Sequence, residues 1–453
     1  MSHPLSERDL LFPHASTSLR DTLHTLKRSN LSIRNRLRSI ASDGAFVSRV
    51  AESLRLPLVA NERCGSWYMD AEGKAGSAYF KSTDGHFGEW GFSLRRLNLG
   101  VLGVVGGRGG CIIVDSTRRG KSMPDALSKT VGIWIVVMNR LLFDDRPDSH
   151  ELLTPAEVVS DSEHAQIEER LDRFVREARA LQLDLDDLRA RVKKPMRPVW
   201  VTPATSLDEL EPPSEEDSFN TVVLCTASSK PSVGVRDDPD YVQGAADDHE
   251  AWSCGLTAPE FWRNKEVLLA TNEHDLPAKI AEVMQTPARD GDVRPPVLIK
   301  PTASVFIGDA ATVEQASSTV AAVVYCGAKL DANVGESIEK RGAVFIHLSC
   351  TSGKNGSRQL RASLPALDDL QKVKDQEPKI LIVGEDSEDM AVGAALAVIC
   401  SYVDETGKLD CTNRRPVTNK VEIKKRLSWI IVSKPDAAPS RATLQSVNSY
   451  LMG

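Results

Sequence analysis

Short apolar runs that alternate with helical patterns constrain the fold of this chain more than any other feature. From residue 297 onward the apolar runs cover residues 305–307, 322–326, 344–348 and 380–383. Patterns with helical spacing lie after them, at residues 357–377, 386–403, 418–433 and 440–452. Buried strands interleaved with helices are typical of a layered α/β domain. We therefore predict an α/β fold for this part of the chain.

The first part of the chain predicts an α+β domain with a mixed sheet. Apolar residues at three- and four-residue spacing in residues 16–54 predict two helices, with a break near Ser42, Asp43 and Gly44. Short strands are expected at residues 58–61, 66–68, 78–82, 111–115 and 222–227. Because 453 residues suit two domains and a Pro/Gly/Asp-rich segment covers residues 286–296, we predict domains at 1–290 and 291–453.

Charge is distributed unevenly along the chain. The net charge is -7, but residues 1–130 carry 19 Lys and Arg against 12 Asp and Glu. A basic region followed by an acidic remainder suits a polyanionic partner bound on one face, although a solvated asymmetry without function is the alternative. The apolar runs are too short to span a bilayer, and eight Cys without a Cys-x-x-Cys pair predict neither disulfides nor zinc. We expect a cytoplasmic protein with no membrane contact and infer no obligate protein partner.

The segment 111–122 has the pattern of a phosphate-binding loop. An apolar strand ends in Asp115 and continues into a loop of Gly, hydroxyl and basic residues before a helix that opens near Pro124. Backbone amides and arginine forks at such a place bind anions, and Asp115 could hold a Mg²⁺ ion that accompanies the anion. The alternative is a surface turn with solvated arginines. The predicted anion-binding residues are Ser116, Thr117, Arg118, Arg119, Gly120 and Lys121.

Two further segments concentrate ionisable side chains. Lys81, Asp84 and His86 share one loop, with Arg95 and Arg96 shortly after it, which predicts proton transfer or neutralisation of a pyrophosphate. A plain Asp-Gly turn is the alternative there. The second segment, residues 241–252, holds Asp247, Asp248, His249 and Glu250 between aromatic residues. Such a cluster favours a functional site, whereas the alternative is a helix N-terminus decorated with acids.

Long strings in the sequence resemble the initiator tRNA phosphoribosyltransferases, also called tRNA 2′-O-ribosylphosphate transferases. The resemblance spans about residues 33–452 and rests on residues 81–86, 90–98, 112–130, 241–252 and 439–452. It implies transfer of a ribosyl phosphate from phosphoribosyl pyrophosphate to the 2′-OH of a T-stem purine in initiator methionine tRNA. That mark keeps the initiator tRNA away from elongation. A non-catalytic tRNA-binding protein with a pseudophosphatase domain is the alternative.

The resemblance also assigns roles to individual residues. Residues 116–121 would bind the donor, Asp115 or Asp84 the Mg²⁺ ion, and Asp247, Asp248 or His249 would act as base. The basic residues of the N-terminal helices would contact the T-stem of the tRNA: Lys27, Arg28, Arg34, Arg36 and Arg38. The C-terminal part would have a fold similar to dual-specificity phosphatases. Gly384 and Met390 occupy the places of the phosphatase Cys and Arg, and Cys350 has its Arg eight residues on, so phosphatase activity is excluded.

Overall fold

The computed structural model of the chain describes residues 31–230, 240–285, 295–313, 320–328, 332–375, 377–416, 419–434 and 436–453. Two predictions fall outside these residues: the tRNA contacts of Lys27 and Arg28, and the domain boundary between residues 290 and 291. Within the described residues, two five-stranded sheets are present, and no helix is long and apolar enough to cross a membrane. The predicted α/β class is confirmed.

The first sheet is entirely parallel, so the predicted mixed sheet is wrong. Its strands, in the order β2-β1-β3-β5-β4, are β1 Leu58–Asn61, β2 Lys74–Ala78, β3 Gly110–Asp115, β4 Met196–Val201 and β5 Asn220–Thr226. Residues 66–68, predicted as a strand, form part of a 3-10 turn. The directions agree because long connections separate successive strands, and two of these four connections contain α-helices.

Helices cover both faces of this sheet. They are α1 Ile33–Leu54, α2 Gly100–Arg108, α3 Val131–Leu142, α4 Asp161–Arg179, α5 Leu185–Val192, α6 Ala258–Arg263, α7 Lys265–Ala270 and α8 Leu276–Met284. Alternate residues of the central strand β3 enter different clusters of buried side chains. Ile113 packs in the cluster that contains α3, whereas Ile112 packs in the cluster that contains α1. Burial on both faces explains why β3 is an unbroken apolar run.

The predicted break in the first helix is wrong, because α1 continues through Gly44. A Cβ atom at Gly44 would lie 2.5 Å from the Trp262 ring, so the absence of a side chain lets Trp262 pack against α1. Asp43 is buried on the same helix and accepts a hydrogen bond from the Tyr241 hydroxyl at 2.9 Å. The polar and glycine residues therefore serve tertiary contacts instead of ending the helix.

The second sheet lies in the C-terminal part of the chain. Its strands, in the order β6-β7-β10-β8-β9, are β6 Val297–Leu298, β7 Val305–Asp309, β8 Ala322–Gly327, β9 Val344–Ser349 and β10 Ile380–Gly384. Only the edge strand β6 is antiparallel among these. The helices are α9 Ala332–Lys340, α10 Gly353–Ser363, α11 Met390–Tyr402, α12 Lys420–Ser433 and α13 Arg441–Met452. The central strand β10 leads through residues 385–389 into α11, which is buried along its whole length.

The two parts of the chain touch each other. The Lys425 amine donates to the Gln182 side chain at 2.6 Å, and Arg96 reaches the carbonyl of Ala438 at 3.5 Å. One cluster of buried apolar side chains also contains members from both sheets. The division into domains at residues 1–290 and 291–453 stays a prediction.

Candidate active site

Polar side chains converge at the carboxyl ends of β1, β3 and β5. Asn61 ends β1, Asp115 ends β3, and Ser228 follows β5. From β1 the chain moves outward to β2 and then returns to place β3 on the other side of β1. In open parallel sheets such a reversal leaves a crevice above the strand ends, where ligands bind. The candidate site lies at this crevice.

Arg63 joins two acidic residues at the centre of the site. Its Nη2 atom lies 2.8 Å from Asp115 Oδ1, and its Nη1 atom lies 2.8 Å from Asp247 Oδ1. Asp115 is fully buried and Asp247 is 6% exposed. Burial opposes the positive charge of Arg63, but the neighbouring negative charges outweigh burial and hold its pKa above the ordinary value. Arg63 therefore keeps both carboxylates compensated.

Asp115 is engaged by protein groups on both oxygens. Besides Arg63, its Oδ2 atom accepts from the Asn61 amide at 2.8 Å, and its Oδ1 atom accepts from the Ser116 backbone N–H at 2.7 Å. The Cys64 thiol lies 3.1 Å from Oδ1. Asp84, the other predicted metal ligand, lies in a different loop. Asp115 and Asp84 were predicted as alternative ligands for Mg²⁺, and both stay predictions; the described residues contain no group of three or more His, Cys, Asp or Glu able to hold a metal.

The segment 240–252 fastens the predicted anion-binding loop. The Gly120 N–H donates to the Gln243 side chain at 2.7 Å, and the Gln243 amide donates to the Lys121 carbonyl at 2.9 Å. Gly244 has a φ of +66°, and a Cβ atom there would lie 2.7 Å from the Thr117 carbonyl. Ser228 bonds both the N–H and the carbonyl of Thr117 at 2.9 Å. The two segments predicted separately from the sequence thus form one site.

Arg118 links the loop to both acids of the second segment. It contacts Asp248 Oδ2 through Nη1 at 2.5 Å, and its Nε atom lies 3.5 Å from Asp247 Oδ2. Asp248 has a left-handed backbone with φ of 53° and precedes a single 3-10 turn, so the helix N-terminus considered as the alternative is absent there. Arg119 is also left-handed, with φ of 60°. Such conformations cost energy and cluster at functional sites.

The carboxylates of Asp247 and Asp248 have different environments. Burial raises the pKa of Asp247 above its usual value, and the charges of Arg63 and Arg118 only partly offset that effect. The hydrogen bond from Arg118 lowers the pKa of the exposed Asp248. Asp247 is therefore the better proton acceptor of the two, while Asp248 stays ionised. The ring of His249, the third predicted catalytic residue, packs against Trp67 with centroids 5.6 Å apart.

Helix α1 contacts residues 240–252 through Arg36, which was predicted to contact tRNA. Arg36 donates to the Ala245 carbonyl at 2.8 Å, and its guanidinium lies 5.3 Å from the centroid of the Trp252 ring. Burial lowers the pKa of Arg36. Among the predicted tRNA contacts, Arg38 is exposed and Arg34 is half-buried, whereas Arg36 belongs to the candidate site.

The loop after β2 forms a second locus beside the first. Burial raises the pKa of Asp84, with Lys81, Arg95 and Arg96 acting in the opposite direction. His86 is about half exposed and lies 3.7 Å from the Asp125 carboxylate. His86, a predicted catalytic residue, is therefore beside Asp125, which also pairs with Lys121 at 2.9 Å. Among the described residues, no ion pair joins His86 to Asp247.

The acidic loop of the C-terminal sheet offers no phosphatase nucleophile. Gly384 ends β10 and Met390 begins α11, where Met390 is buried. Cys350, which follows β9, is a thiol near this loop, and Cys326 of β8 pairs with Gly384 in the sheet. Burial, reinforced by the charges of Glu385 and nearby acids, raises the pKa of Cys350 to about 11. The thiol is therefore protonated at neutral pH and a poor nucleophile.

Sequence reasoning missed several residues of the site. The structure adds residues from three segments of the chain: Asn61, Arg63, Cys64, Tyr68, Ser228 and Gln243. One signal was available, since residues 61–64 follow an apolar strand just as Asp115 does. Because carboxyl ends of parallel strands meet at one edge, recognising β1 and β3 as parallel neighbours would have identified Arg63.

Two family models match the chain. The model described as the Rit1 N-terminal domain matches residues 26–285, and the model described as the Rit1 DUSP-like domain matches residues 344–451. An uncharacterised protein of Schizosaccharomyces pombe is 37% identical over 440 residues, covering 92% of this chain and 94% of that protein. The tRNA A64-2′-O-ribosylphosphate transferase of Saccharomyces cerevisiae is 32% identical over 483 residues, covering 94% and 93%.

Solved phosphatase structures are also similar to part of the chain. Human DUSP28 is 15% identical with a TM-score of 0.26, covering 35% of this chain and 93% of that one. The Yvh1 phosphatase domain from Chaetomium thermophilum is 12% identical with a TM-score of 0.25, covering 34% and 95%.

Proposed function

The chain belongs to the Rit1 family, and from that premise we propose that it transfers a ribosyl phosphate to tRNA. The donor in this proposal is phosphoribosyl pyrophosphate, and the acceptor is the 2′-OH of a T-stem purine in initiator methionine tRNA. The curated yeast relative acts on a tRNA 2′-oxygen, as its name states. The enzyme class is then a pentosyl transferase, and the product discriminates the initiator tRNA from elongator use.

The observation that carries the proposal is the arginine-compensated acid network at the strand ends. Arg63, Arg118 and Arg36 lie around Asp115, Asp247 and Asp248. A site for an anionic donor requires cations, and a site for proton transfer requires a carboxylate held close to them. This crevice supplies both within one network of hydrogen bonds.

Residues 116–121 bind the donor in this proposal. Arg118 has a 44% exposed side chain, and its partner Asp248 is 71% exposed. Because that pair is largely solvated, a phosphate oxygen can replace Asp248 on the guanidinium at little cost. Arg119 and Lys121 extend from the same loop, and Lys121 pairs with Asp125. The loop therefore offers three cations to the 5-phosphate and the pyrophosphate of the donor.

The transfer step exchanges one carbon–oxygen bond for another. The 2′-oxygen of the RNA attacks the anomeric carbon of the donor, and the bond between that carbon and pyrophosphate breaks. The electron pair leaves with the pyrophosphate, whose developing charge Arg118 and its neighbours stabilise. The proton of the 2′-OH moves to Asp247 Oδ2, which lies 3.5 Å from the Arg118 Nε atom, whereas Oδ1 is held by Arg63 at 2.8 Å.

Magnesium stays a prediction. Phosphoribosyl pyrophosphate carries its own phosphate ligands for a divalent ion, so the ion would enter with the donor and neutralise the pyrophosphate. Asp115 already accepts hydrogen bonds from protein groups on both of its oxygens. A cytoplasmic location likewise stays a prediction.

Transfer of a labelled donor to purified tRNA tests the proposal. The full chain is incubated with phosphoribosyl pyrophosphate labelled in the ribose phosphate, Mg²⁺ and either initiator or elongator methionine tRNA. We expect label in the initiator tRNA alone, and a mass increase of one ribosyl phosphate. Arg63→Lys serves as the matched variant, since it keeps the charge and loses the fork that spans Asp115 and Asp247. Binding of tRNA without any donor-dependent product would favour the non-catalytic alternative.

A further inference from the structure

Four basic side chains meet where the two parts of the chain touch. Lys81, Arg95 and Arg96 follow β2, and Arg441 is the first residue of α13 in the C-terminal part. The charges of Arg95, Arg96 and Arg441 all act on Lys81. Arg96 also bridges the parts directly, since its Nη2 atom lies 3.5 Å from the Ala438 carbonyl. We call these four residues the junction cluster.

The junction cluster contains more positive charge than its surroundings compensate. Asp84 lies among Lys81, Arg95 and Arg96, and their positive charges act on its carboxylate. Asp389 accepts from the Ser440 N–H at 2.9 Å, and its charge also acts to raise the pKa of Arg96, so it offsets part of the positive charge. Burial and the neighbouring arginines both lower the pKa of Lys81. Like charges held this close repel each other, so an anion bound among them would stabilise the arrangement.

Arg96 has hydrogen-bond donors without partners. Its guanidinium stacks 3.7 Å from the centroid of the Tyr79 ring. The Nε and Nη1 atoms are buried and have no hydrogen-bond partner among the described residues. A buried charged donor left unpaired is costly, and native structures normally satisfy such groups. A ligand oxygen that displaces the groups now covering these two atoms would satisfy them, which gives the junction cluster a reason to bind an anion.

We propose that the junction cluster binds a backbone phosphate of the acceptor RNA, with Arg441 supplied by the C-terminal part. This inference rests on the proposed function in one respect, namely that RNA is the substrate. The RNA is favoured over the donor because the donor loop after β3 has its own cations. The axes of β2 and β3 lie two strand spacings, roughly 10 Å, apart, although the segments that follow them touch where His86 approaches Asp125 at 3.7 Å. RNA extends that far, and phosphate contacts dominate its affinity.

The same loop also exposes an aromatic ring. Phe87 is 72% exposed and packs edge-on against Trp90, with centroids 5.3 Å apart. Exposed aromatic side chains beside phosphate-binding cations are a common feature of RNA-binding surfaces. The inference gives the C-terminal part a role in the reaction that needs no phosphatase nucleophile: it completes the RNA site.

The experiment measures tRNA affinity of the full chain without donor, at several salt concentrations. Arg441→Ala should weaken initiator tRNA binding roughly tenfold and lower the slope of log K against log salt by about 0.7–0.9, the value for one lost phosphate contact. Arg441→Lys should restore the slope because it keeps the charge. Lys340→Ala removes an exposed charge from α9 in the same part of the chain and should leave both quantities at the wild-type value.

Donor affinity, measured by calorimetry on the same proteins, separates the two sources of phosphate. Arg441→Ala should bind phosphoribosyl pyrophosphate as the wild type does. Unchanged tRNA affinity and salt slope in Arg441→Ala would overturn the inference, and a loss confined to the donor would assign the cluster to the pyrophosphate instead. Because no readout depends on turnover, failure of the proposed transfer reaction would leave these binding results interpretable.

Discussion

Replacing Arg63 with Ala should destabilise the protein more than the loss of an ordinary surface arginine. The substitution leaves two buried carboxylates, Asp115 and Asp247, without the guanidinium that both contact at 2.8 Å. Breaking a buried ion pair by removing one partner costs about 3–5 kcal/mol. Because the Arg63 side chain is 27% exposed, water partly replaces it, and we expect a loss of about 3 kcal/mol at neutral pH.

The loss should depend on pH in a definite direction. Burial already raises the pKa of Asp247 in the wild type, in opposition to Arg63 and Arg118, and removing Arg63 raises it further. A carboxyl group with a higher pKa in the folded state binds more protons when folded, so stability falls as pH rises between the unfolded and folded pKa values. The deficit of Arg63→Ala is therefore complete at neutral pH and shrinks as the pH falls toward the unfolded value of about 4.

Urea unfolding of both proteins between about pH 5 and pH 8 measures this effect. Arg189→Ala, which removes a solvent-exposed pair with Asp145, is the matched control and should show no comparable pH dependence. Adding Asp247→Asn to Arg63→Ala should recover part of the lost stability, because it removes one uncompensated charge. A deficit that is independent of pH, or that grows as the pH falls, would refute the reasoning.

Three other substitutions test separate features. Gly44→Ala should lower the free energy of unfolding, measured in urea, by about 1–3 kcal/mol, because the new Cβ would lie 2.5 Å from the Trp262 ring. An increase in stability, which is usual for Gly→Ala within a helix, would contradict this. Asp247→Asn should reduce the transfer rate at least about 100-fold and leave tRNA affinity unchanged, and Asp248→Asn should reduce the rate less. If steady-state kinetics show the larger loss in Asp248→Asn, Asp247 is not the base. Cys350→Ser should leave transfer at the wild-type rate, since burial raises the pKa of the Cys350 thiol to about 11. Hydrolysis of an aryl phosphate by the wild type but not by this variant would show that Cys350 is a nucleophile.

The sequence predicts an anion-binding loop at residues 116–121 because the signal for it is local. Asp115 and the basic residues after it form one continuous segment at the end of an apolar run. The acidic segment with Asp247 and Asp248 was recognisable for the same reason. The structure brings these two separately predicted segments together through Arg118, which contacts both acids.

Strand direction and helix continuity were harder to predict, because tertiary contacts decide them. Strand β4, Met196–Val201, contains Arg197 and Pro198 and was not predicted. The direction of pairing depends on how the connections cross, which the pattern of a single strand does not encode. The glycine in α1 predicted a break, but the ring of Trp262, 218 positions further along the chain, occupies the space of its missing side chain.

Arg63 was missed because its partners are remote in the sequence. It contacts Asp115 and Asp247, which lie 52 and 184 residues away. No spacing rule relates such positions, and a single arginine after a short strand resembles any solvated charge. The junction cluster could be only partly predicted for the same reason: Lys81, Arg95 and Arg96 share one region of the sequence, whereas Arg441 joins them through the contact between the two parts.

The proposed reaction joins a ribosyl phosphate to a 2′-oxygen of tRNA, and two synthetic initiator tRNAs test it. One is unmodified, and the other has a single 2′-deoxy nucleotide at the T-stem acceptor purine. With labelled phosphoribosyl pyrophosphate, we expect label in the unmodified tRNA, with alkaline cleavage blocked after that one nucleotide. We expect no label in the 2′-deoxy tRNA, although both tRNAs bind equally. Equal labelling of the two tRNAs, or no labelling of either by a protein that binds both substrates, would show that the bond is not formed at this 2′-oxygen.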